Sequence, residues 1–201
     1  MGNPITAAMV QALREKTGAA MMDCKRALDE AAGDVTKAED NLRIKGIKTA
    51  EKKSGRATSQ GSIGHYLHHD GKKAVIVEVK CETDFVARND KFKEFAKGLA
   101  MHVAAAKPRW TNKEEVPADA IEKEKAMIAA ESAEEMAKKP EAARAKIIEG
   151  RLQKFYSQHC LLEQPWVLDD KKKVADVVKE LVASIGENIS VGRFARIEVG
   201  E

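Results

Sequence analysis

The stretch AVIVEVKCETDFVARNDKFKEF, residues 74–95, changes its hydrophobic period near its centre. Its first part, which ends at Cys81, alternates β-branched and other residues and predicts a strand, whereas NDKFKEF has the period of a helix. Phe85 lies at this strand-to-helix junction, flanked by Asp84 and Arg88, in a chain with only 4% aromatic residues. Two interpretations are open on pattern alone. Phe85 either folds back beneath the strands as a core residue or protrudes as an anchor for a partner, because an aromatic side chain among charged ones is typical of interface hot spots.

Residues 62–82 predict a β-hairpin, because two extended segments flank the strong turn signal Asp70-Gly71. The C-terminal segment NISVGRFARIEVG has a period of two and predicts a third strand. Between the hairpin and this strand, the hydrophobic period predicts helices over residues 91–106, 118–137, 141–159 and 172–184. This order predicts an α+β domain at residues 62–201, in which a three-stranded antiparallel sheet packs with helices.

Residues 1–46 predict a bundle of three short helices. The N-caps and glycine stops that delimit them are Thr6, Gly18, Gly33, Asp34 and Gly46. In the second helix Met21 and Met22 point about 100° apart, so one of them can enter the core while the other faces out; the alternative is that both are in the core. Residues 47–61 lose the apolar period and are basic, small and glycine-containing, which predicts a linker, helical at most at its start.

The composition excludes several classes of protein. The chain has 201 residues, 43% hydrophobic and 33% charged, which suits one domain with a small satellite. No apolar run approaches the roughly 18 residues of a transmembrane helix, and the first residues contain no apolar signal segment, so we expect a cytoplasmic protein with no membrane contact. The net charge of +3 is too small for the basic face of a nucleic-acid-binding domain, so we expect no direct nucleic-acid binding.

Signatures of catalysis are missing from the sequence. It contains no phosphate-binding GxxxxGK[ST] loop, no GxGxxG after a strand and no GxSxG elbow. His65, His68 and His69 alternate between the faces of a strand, so they do not converge on a metal. His102 lies on an apolar helix face and is expected at the edge of the core, with a partner contact as the alternative. We therefore expect no enzyme, no cofactor and no metal.

The cysteines point to a reducing environment. Cys24, Cys81 and Cys160 are odd in number and widely spaced, which fits neither a disulfide framework nor a zinc site. We expect reduced thiols in or near the core.

Two long motifs carry a family resemblance. LREKTGAAMMDCKRAL, residues 13–28, and EVKCETDFVAR, residues 78–88, resemble the two signatures of the bacterial elongation factor Ts family. The closing segment, residues 161–200, resembles the end of that family, and the order of the parts matches. The chain has one core unit and no duplication, which is similar to the short members.

This resemblance implies a function and a set of contact residues. It implies a ubiquitin-associated-like N-terminal bundle and a guanine nucleotide exchange factor that releases GDP from elongation factor Tu by disturbing its magnesium and phosphate site. The implied wedge, which we call the knuckle, consists of Thr83, Asp84, Phe85 and Val86. The implied contacts of the helical bundle, which we call the bundle patch, are Arg14, Met21, Met22 and Lys25. Short members are further expected to form homodimers.

Two other classes of function remain open from the residues. The first is an adaptor, in which the bundle and the α+β domain bind some other protein. The second is an RNA-binding translation accessory that uses the basic run Lys48, Lys52, Lys53 and Arg56, although a solvated tether is the simpler expectation for that run.

Overall fold

The computed structural model describes residues 5–131 and 139–201. The helices within these ranges are α1 (Ala7–Thr17), α2 (Met21–Glu30), α3 (Val35–Lys53), α4 (Asp84–Ala87), α5 (Asp90–Ala106), α6 (Ala118–Glu131), α7 (Glu141–His159) and α8 (Val174–Ile185). The strands are β1 (Gln60–Leu67), β2 (Lys73–Cys81), β3 (Pro165–Trp166), β4 (Asp169–Lys173) and β5 (Ile189–Glu198). Strands β1, β2 and β5 form an antiparallel sheet in the order β1-β2-β5, so the α+β prediction is confirmed.

The chain divides into two compact units. The first comprises Met1–Ser62, Val79–Glu94 and Asp176–Ser190, and the second comprises Ile63–Glu78, Phe95–Ala175 and Val191–Glu201. The segmentation expected from the sequence, with a bundle at 1–46, a linker at 47–61 and a core domain at 62–201, stays a prediction.

In the first unit, the caps of the bundle lie where the sequence predicts them. The Thr6 hydroxyl accepts a hydrogen bond from the Met9 N–H at 3.2 Å, and the Asp34 carboxylate accepts one from the Lys37 N–H at 3.1 Å. Gly18 ends α1 with a φ of 66°, a conformation that favours glycine. The bundle core consists of Val10, Leu13, Cys24, Ala27, Leu28, Ala31, Ala38 and Leu42.

The predicted end of the third helix at Gly46 is wrong, because α3 continues to Lys53. Gly46 lies close to α8, where a Cβ added to it would be 3.1 Å from the Cβ of Ala183. The glycine therefore permits close packing of two helices and does not end one. Residues 47–53, assigned to the linker by sequence, are helical.

In the second unit, His102 is fully buried, which places it deeper than the expected core edge. Its Nδ1 accepts the Val167 N–H at 3.2 Å, its Nε2 lies 3.0 Å from the Gln164 Oε1, and its ring stacks on Trp166. Because Nδ1 is an acceptor, the proton lies on Nε2 and the ring is neutral. Burial lowers the pKa of His102, and the hydrogen bond to Gln164 opposes this effect in part.

The C-terminal region of the second unit contains a small sheet that the sequence did not predict. Strands β3 and β4 pair antiparallel, with Trp166 opposite Asp169. The helix expected from residue 172 consequently begins at Val174, and the helix expected over 118–137 is confirmed to Glu131, its remainder being outside the described residues.

The three cysteines are buried and free, as expected. Burial, reinforced by the Glu163 carboxylate, raises the pKa of Cys160 to about 11.

Candidate functional site

The knuckle begins where β2 leaves the interior. Val79 and Cys81 are fully buried, and two residues later Thr83 caps the single turn of α4. The Thr83 hydroxyl oxygen accepts a hydrogen bond from the Val86 N–H at 3.4 Å, and a side-chain cap of this kind fixes where a helical turn starts. A strand end and a capped turn therefore determine the direction of the next side chain.

Phe85 protrudes from this turn. Its side chain is 86% exposed, so the interpretation of Phe85 as a core residue is wrong. The Arg88 guanidinium pairs with the Asp84 carboxylate at 2.9 Å beside it, and both groups are largely exposed. Val86 is half-buried. An exposed aromatic ring beside an ion pair on a capped turn is the composition of a protein-binding anchor.

The knuckle is attached to the loop that follows α8. The Thr83 N–H and hydroxyl both donate to the Glu187 carboxylate, at 3.0 and 2.7 Å. Behind the knuckle, the Cys81 thiol donates to the Thr83 carbonyl oxygen at 3.1 Å. Burial and then the Glu187 carboxylate raise the pKa of Cys81, which keeps this thiol a donor. The role of Glu187 was not predicted from the sequence, because a pair separated by 104 residues leaves no local signal.

The residues of the bundle patch are all exposed. Met21 and Met22 are 50% and 66% exposed, so both interpretations that put at least one of them in the core are wrong. The core positions of α2 are Cys24, Ala27 and Leu28, which follow helical spacing and leave both methionines outside. Lys25 lies three and four residues after the methionines, so the three share one face of α2.

The basic run of the predicted linker has partners within the first unit. The Lys53 ammonium donates to the Gly186 carbonyl oxygen, and Arg56 lies 3.5 Å from the Glu82 carboxylate. Lys48 and Lys52 are exposed on α3. The run is thus divided between structural contacts and a solvated helix face.

Within residues 5–131 and 139–201, no group of three or more His, Cys, Asp or Glu side chains is arranged to hold a metal ion. His68 instead shares a hydrogen bond of 2.8 Å with the Tyr66 hydroxyl. In the same part of the chain, no helix has the length and apolar character needed to cross a membrane.

Comparison with known proteins identifies the class and the family. The family profile described as "Elongation factor TS" matches residues 3–201. The elongation factor Ts of Anaeromyxobacter dehalogenans is 57% identical over 197 residues, which cover 98% of this chain and 89% of the relative. The elongation factor Ts of Solidesulfovibrio magneticus is 54% identical, over 98% of this chain and 98% of the relative. That of Thermotoga neapolitana is 53% identical, over 96% of this chain and 96% of the relative.

These matches define a translation elongation factor. The chain belongs to the elongation factor Ts family, and the resemblance seen in its two sequence motifs is confirmed.

Proposed function

We propose that the chain is a guanine nucleotide exchange factor for elongation factor Tu. In this proposal it binds the GDP complex of the GTPase, disturbs its magnesium and phosphate site, and promotes GDP release during translation elongation. The observation that carries the proposal is the exposed Phe85 ring on a capped turn, in a member of the elongation factor Ts family. A ring held in this way is suited to insertion between elements of a partner.

The physical basis of exchange is linkage between two binding events. An exchange protein that prefers the nucleotide-free GTPase weakens the binding of GDP to that GTPase. By linkage, GDP weakens the binding of the exchange protein to the same extent. GTPases owe much of their GDP affinity to a phosphate cradle and to Mg²⁺ that bridges the phosphates. Burial of the Phe85 ring contributes roughly 2–3 kcal/mol. If all of this free energy opposed GDP binding, it would lower the affinity for GDP by up to about a hundredfold. Any further loss of GDP affinity must come from a wider interface.

The bundle patch is proposed to supply part of that interface by contacting the GTP-binding domain of the partner. Its exposed thioethers adapt to an opposing surface, and Arg14 and Lys25 add positive charge at its edge. In this proposal the contacts are the same whether or not GDP is bound, so they increase affinity for the GTPase more than they change GDP release.

We propose that the factor acts by binding alone, without covalent chemistry, and that it works in the cytoplasm. The family role in translation supports both statements. The interaction needs no cofactor of its own, because the ligand that is released is the nucleotide of the partner.

A homodimer is proposed through the outer face of the sheet. Large apolar side chains are exposed there on β1, β2 and β5 and just after β5, namely Ile63, Leu67, Ile76, Ile197 and, after the strand, Val199. Contiguous apolar area of this kind is costly to leave in water and is typical of subunit interfaces.

Sedimentation equilibrium tests the homodimer. The unaltered protein should give a particle of two chains, and Ile76→Glu should give single chains. Single chains from the unaltered protein would refute the dimer.

Release of a fluorescent GDP analogue from the elongation factor Tu of the same organism tests the exchange function. We expect saturating amounts of the chain to accelerate release strongly. The double variant Met21→Ala/Met22→Ala should raise the half-saturating concentration and leave the maximal rate nearly unchanged, because it removes only general affinity. Absence of any acceleration by the unaltered chain would reject the exchange function and favour an adaptor for another protein.

A further inference from the structure

We infer that Glu187 is a positioning residue for the knuckle: its carboxylate holds Thr83, and through Thr83 it holds the α4 turn in the orientation that presents Phe85. The inference rests on the proposed function, since the direction of Phe85 matters for exchange only if the ring enters the GTPase.

The contact between Glu187 and Thr83 is bidentate. The Thr83 N–H donates to one carboxylate oxygen at 3.0 Å, and the Thr83 hydroxyl donates to the other at 2.7 Å. Hydrogen bonds to an ionised acceptor are roughly twice as strong as neutral ones, and two in parallel add directional constraint. Together they fix both the backbone and the hydroxyl rotamer of the residue that starts the turn.

The carboxylate also determines the cap itself. Because the Thr83 hydroxyl proton is committed to Glu187, the hydroxyl oxygen is left to accept the Val86 N–H. No residue of the four-residue helix α4 is buried, so packing adds little to its stability. A single helical turn is unstable by itself in water, and the turn therefore depends on its cap and on the group that orients the cap.

Glu187 is held by its own neighbours in the first unit. Gly186 ends α8 with a φ of 90°, and its N–H donates to the Val182 carbonyl oxygen at 2.9 Å. The Asn188 N–H donates to the Glu82 carboxylate at 2.6 Å, and the buried Asn188 amide donates to the Arg56 carbonyl oxygen at 2.7 Å. The segment just after β2 is thus hydrogen-bonded at two successive positions to the segment just after α8.

The chemistry of the contact requires a carboxylate with two acceptor oxygens. In Glu187→Gln one oxygen is replaced by an NH₂ group, which cannot accept a hydrogen bond from Thr83. Glu187→Ala removes both acceptors. Thr83→Ser keeps the hydroxyl, whereas Thr83→Ala loses it together with the cap.

The first test measures the maximal acceleration of GDP release from elongation factor Tu at saturating concentrations of the chain. We expect Glu187→Ala to lower it by about tenfold or more, the loss associated with a charge-assisted hydrogen bond, and Glu187→Gln to lie between Glu187→Ala and the unaltered chain. Thr83→Ser should restore most of what Thr83→Ala loses. The half-saturating concentration should change less than the maximal rate. Glu94→Ala, which removes an exposed carboxylate from α5, is the matched control and should have no effect.

A double variant separates action through the knuckle from general damage. In a Phe85→Ala background, Glu187→Ala should lower the maximal rate of GDP release little further, because there is no ring left to position. An equal loss in both backgrounds would overturn the inference, as would an unchanged maximal rate in both Glu187 variants. The unaltered chain and Phe85→Ala alone test the exchange function, so failure of that function is distinguished from failure of the positioning role.

Amide hydrogen exchange tests the positioning without any GTPase. The Val86 N–H should exchange faster in Glu187→Ala than in the unaltered chain, while protection of the bundle core amides of Leu13 and Leu28 stays the same. Unchanged exchange at Val86 would contradict the role assigned to Glu187 even if the chain proved to be no exchange factor.

Discussion

Phe85 and Phe92 are seven residues apart in the same compact unit, yet the first is 86% exposed and the second is fully buried. Hydrophobicity is the same for both, so it cannot explain the difference. Phe92 lies on the apolar stripe of α5, which continues at Ala96, Leu99 and Val103. Phe85 lies on a turn whose direction is set by a strand end and a threonine cap. The backbone setting therefore decides which aromatic ring stabilises the fold and which is available to a partner.

The largest stability effect should come from the buried ring. Phe92→Ala should lower the free energy of unfolding by about 3–5 kcal/mol, because it removes the transfer free energy of the ring and leaves a cavity. Urea denaturation followed by far-UV circular dichroism measures this change. A loss below about 1 kcal/mol would mean that Phe92 is not the core member of the pair.

The same contrast should hold within α2, between buried Leu28 and exposed Met22. Leu28→Ala should cost about 2–5 kcal/mol of unfolding free energy through its cavity. Met22→Ala should change stability by less than about 0.5 kcal/mol, because its side chain is already in water. Equal losses for the two variants, measured by the same denaturation, would refute the division of α2 into a core face and a bundle patch.

Acid should destabilise the second unit, because its buried His102 is neutral in the folded chain. Burial lowers its pKa below the ordinary 6.5, so the unfolded chain binds more protons than the folded chain as the pH falls below that value. The stability contributed by neutral His102 is therefore fully present above pH 6.5 and is lost as the pH falls toward the lowered pKa of the folded chain. Unfolding free energies at pH 7.5 and 5.5 should differ less in His102→Gln than in the unaltered chain; identical pH slopes would contradict this role.

The smallest effects should come from two helical glycines that repeat the contrast between exposed and buried positions. A Cβ at Gly150 in α7 would meet nothing within 4 Å, whereas one at Gly46 would lie 3.1 Å from Ala183. Gly150→Ala should stabilise by about 0.5–1 kcal/mol through helix propensity. Gly46→Ala should gain less, because close packing with α8 opposes the gain. A larger gain at Gly46 in thermal unfolding would indicate that the two helices separate easily.

Local patterns in the sequence were sufficient for much of the fold. Strand alternation, the caps Thr6 and Asp34, and the turn signal at Gly71 act over a few residues, and the structure has the expected elements there. The exposure of Phe85 was open on pattern alone, and the family resemblance favoured protrusion.

What could not be predicted depends on contacts between distant parts of the sequence. Gly46 has the usual appearance of a helix stop, but α3 continues through it and lies close to Ala183 there. The β3–β4 pair is only a few residues long and is stabilised partly by His102, whose ring accepts the Val167 N–H. Glu187 could not be connected to the knuckle, since nothing local links it to Thr83.

The role of Phe85 in exchange is tested most directly by GDP release from elongation factor Tu with Phe85→Ala at matched folded concentration, together with thermal unfolding of the same sample. Met127→Ala, which truncates an exposed apolar side chain on α6, serves as the control. We expect Phe85→Ala to lose at least about tenfold in maximal acceleration while its unfolding midpoint stays within a degree or so of that of the unaltered chain. Full acceleration by Phe85→Ala, or a loss that follows only its folded fraction, would show that the Phe85 ring does not act in exchange.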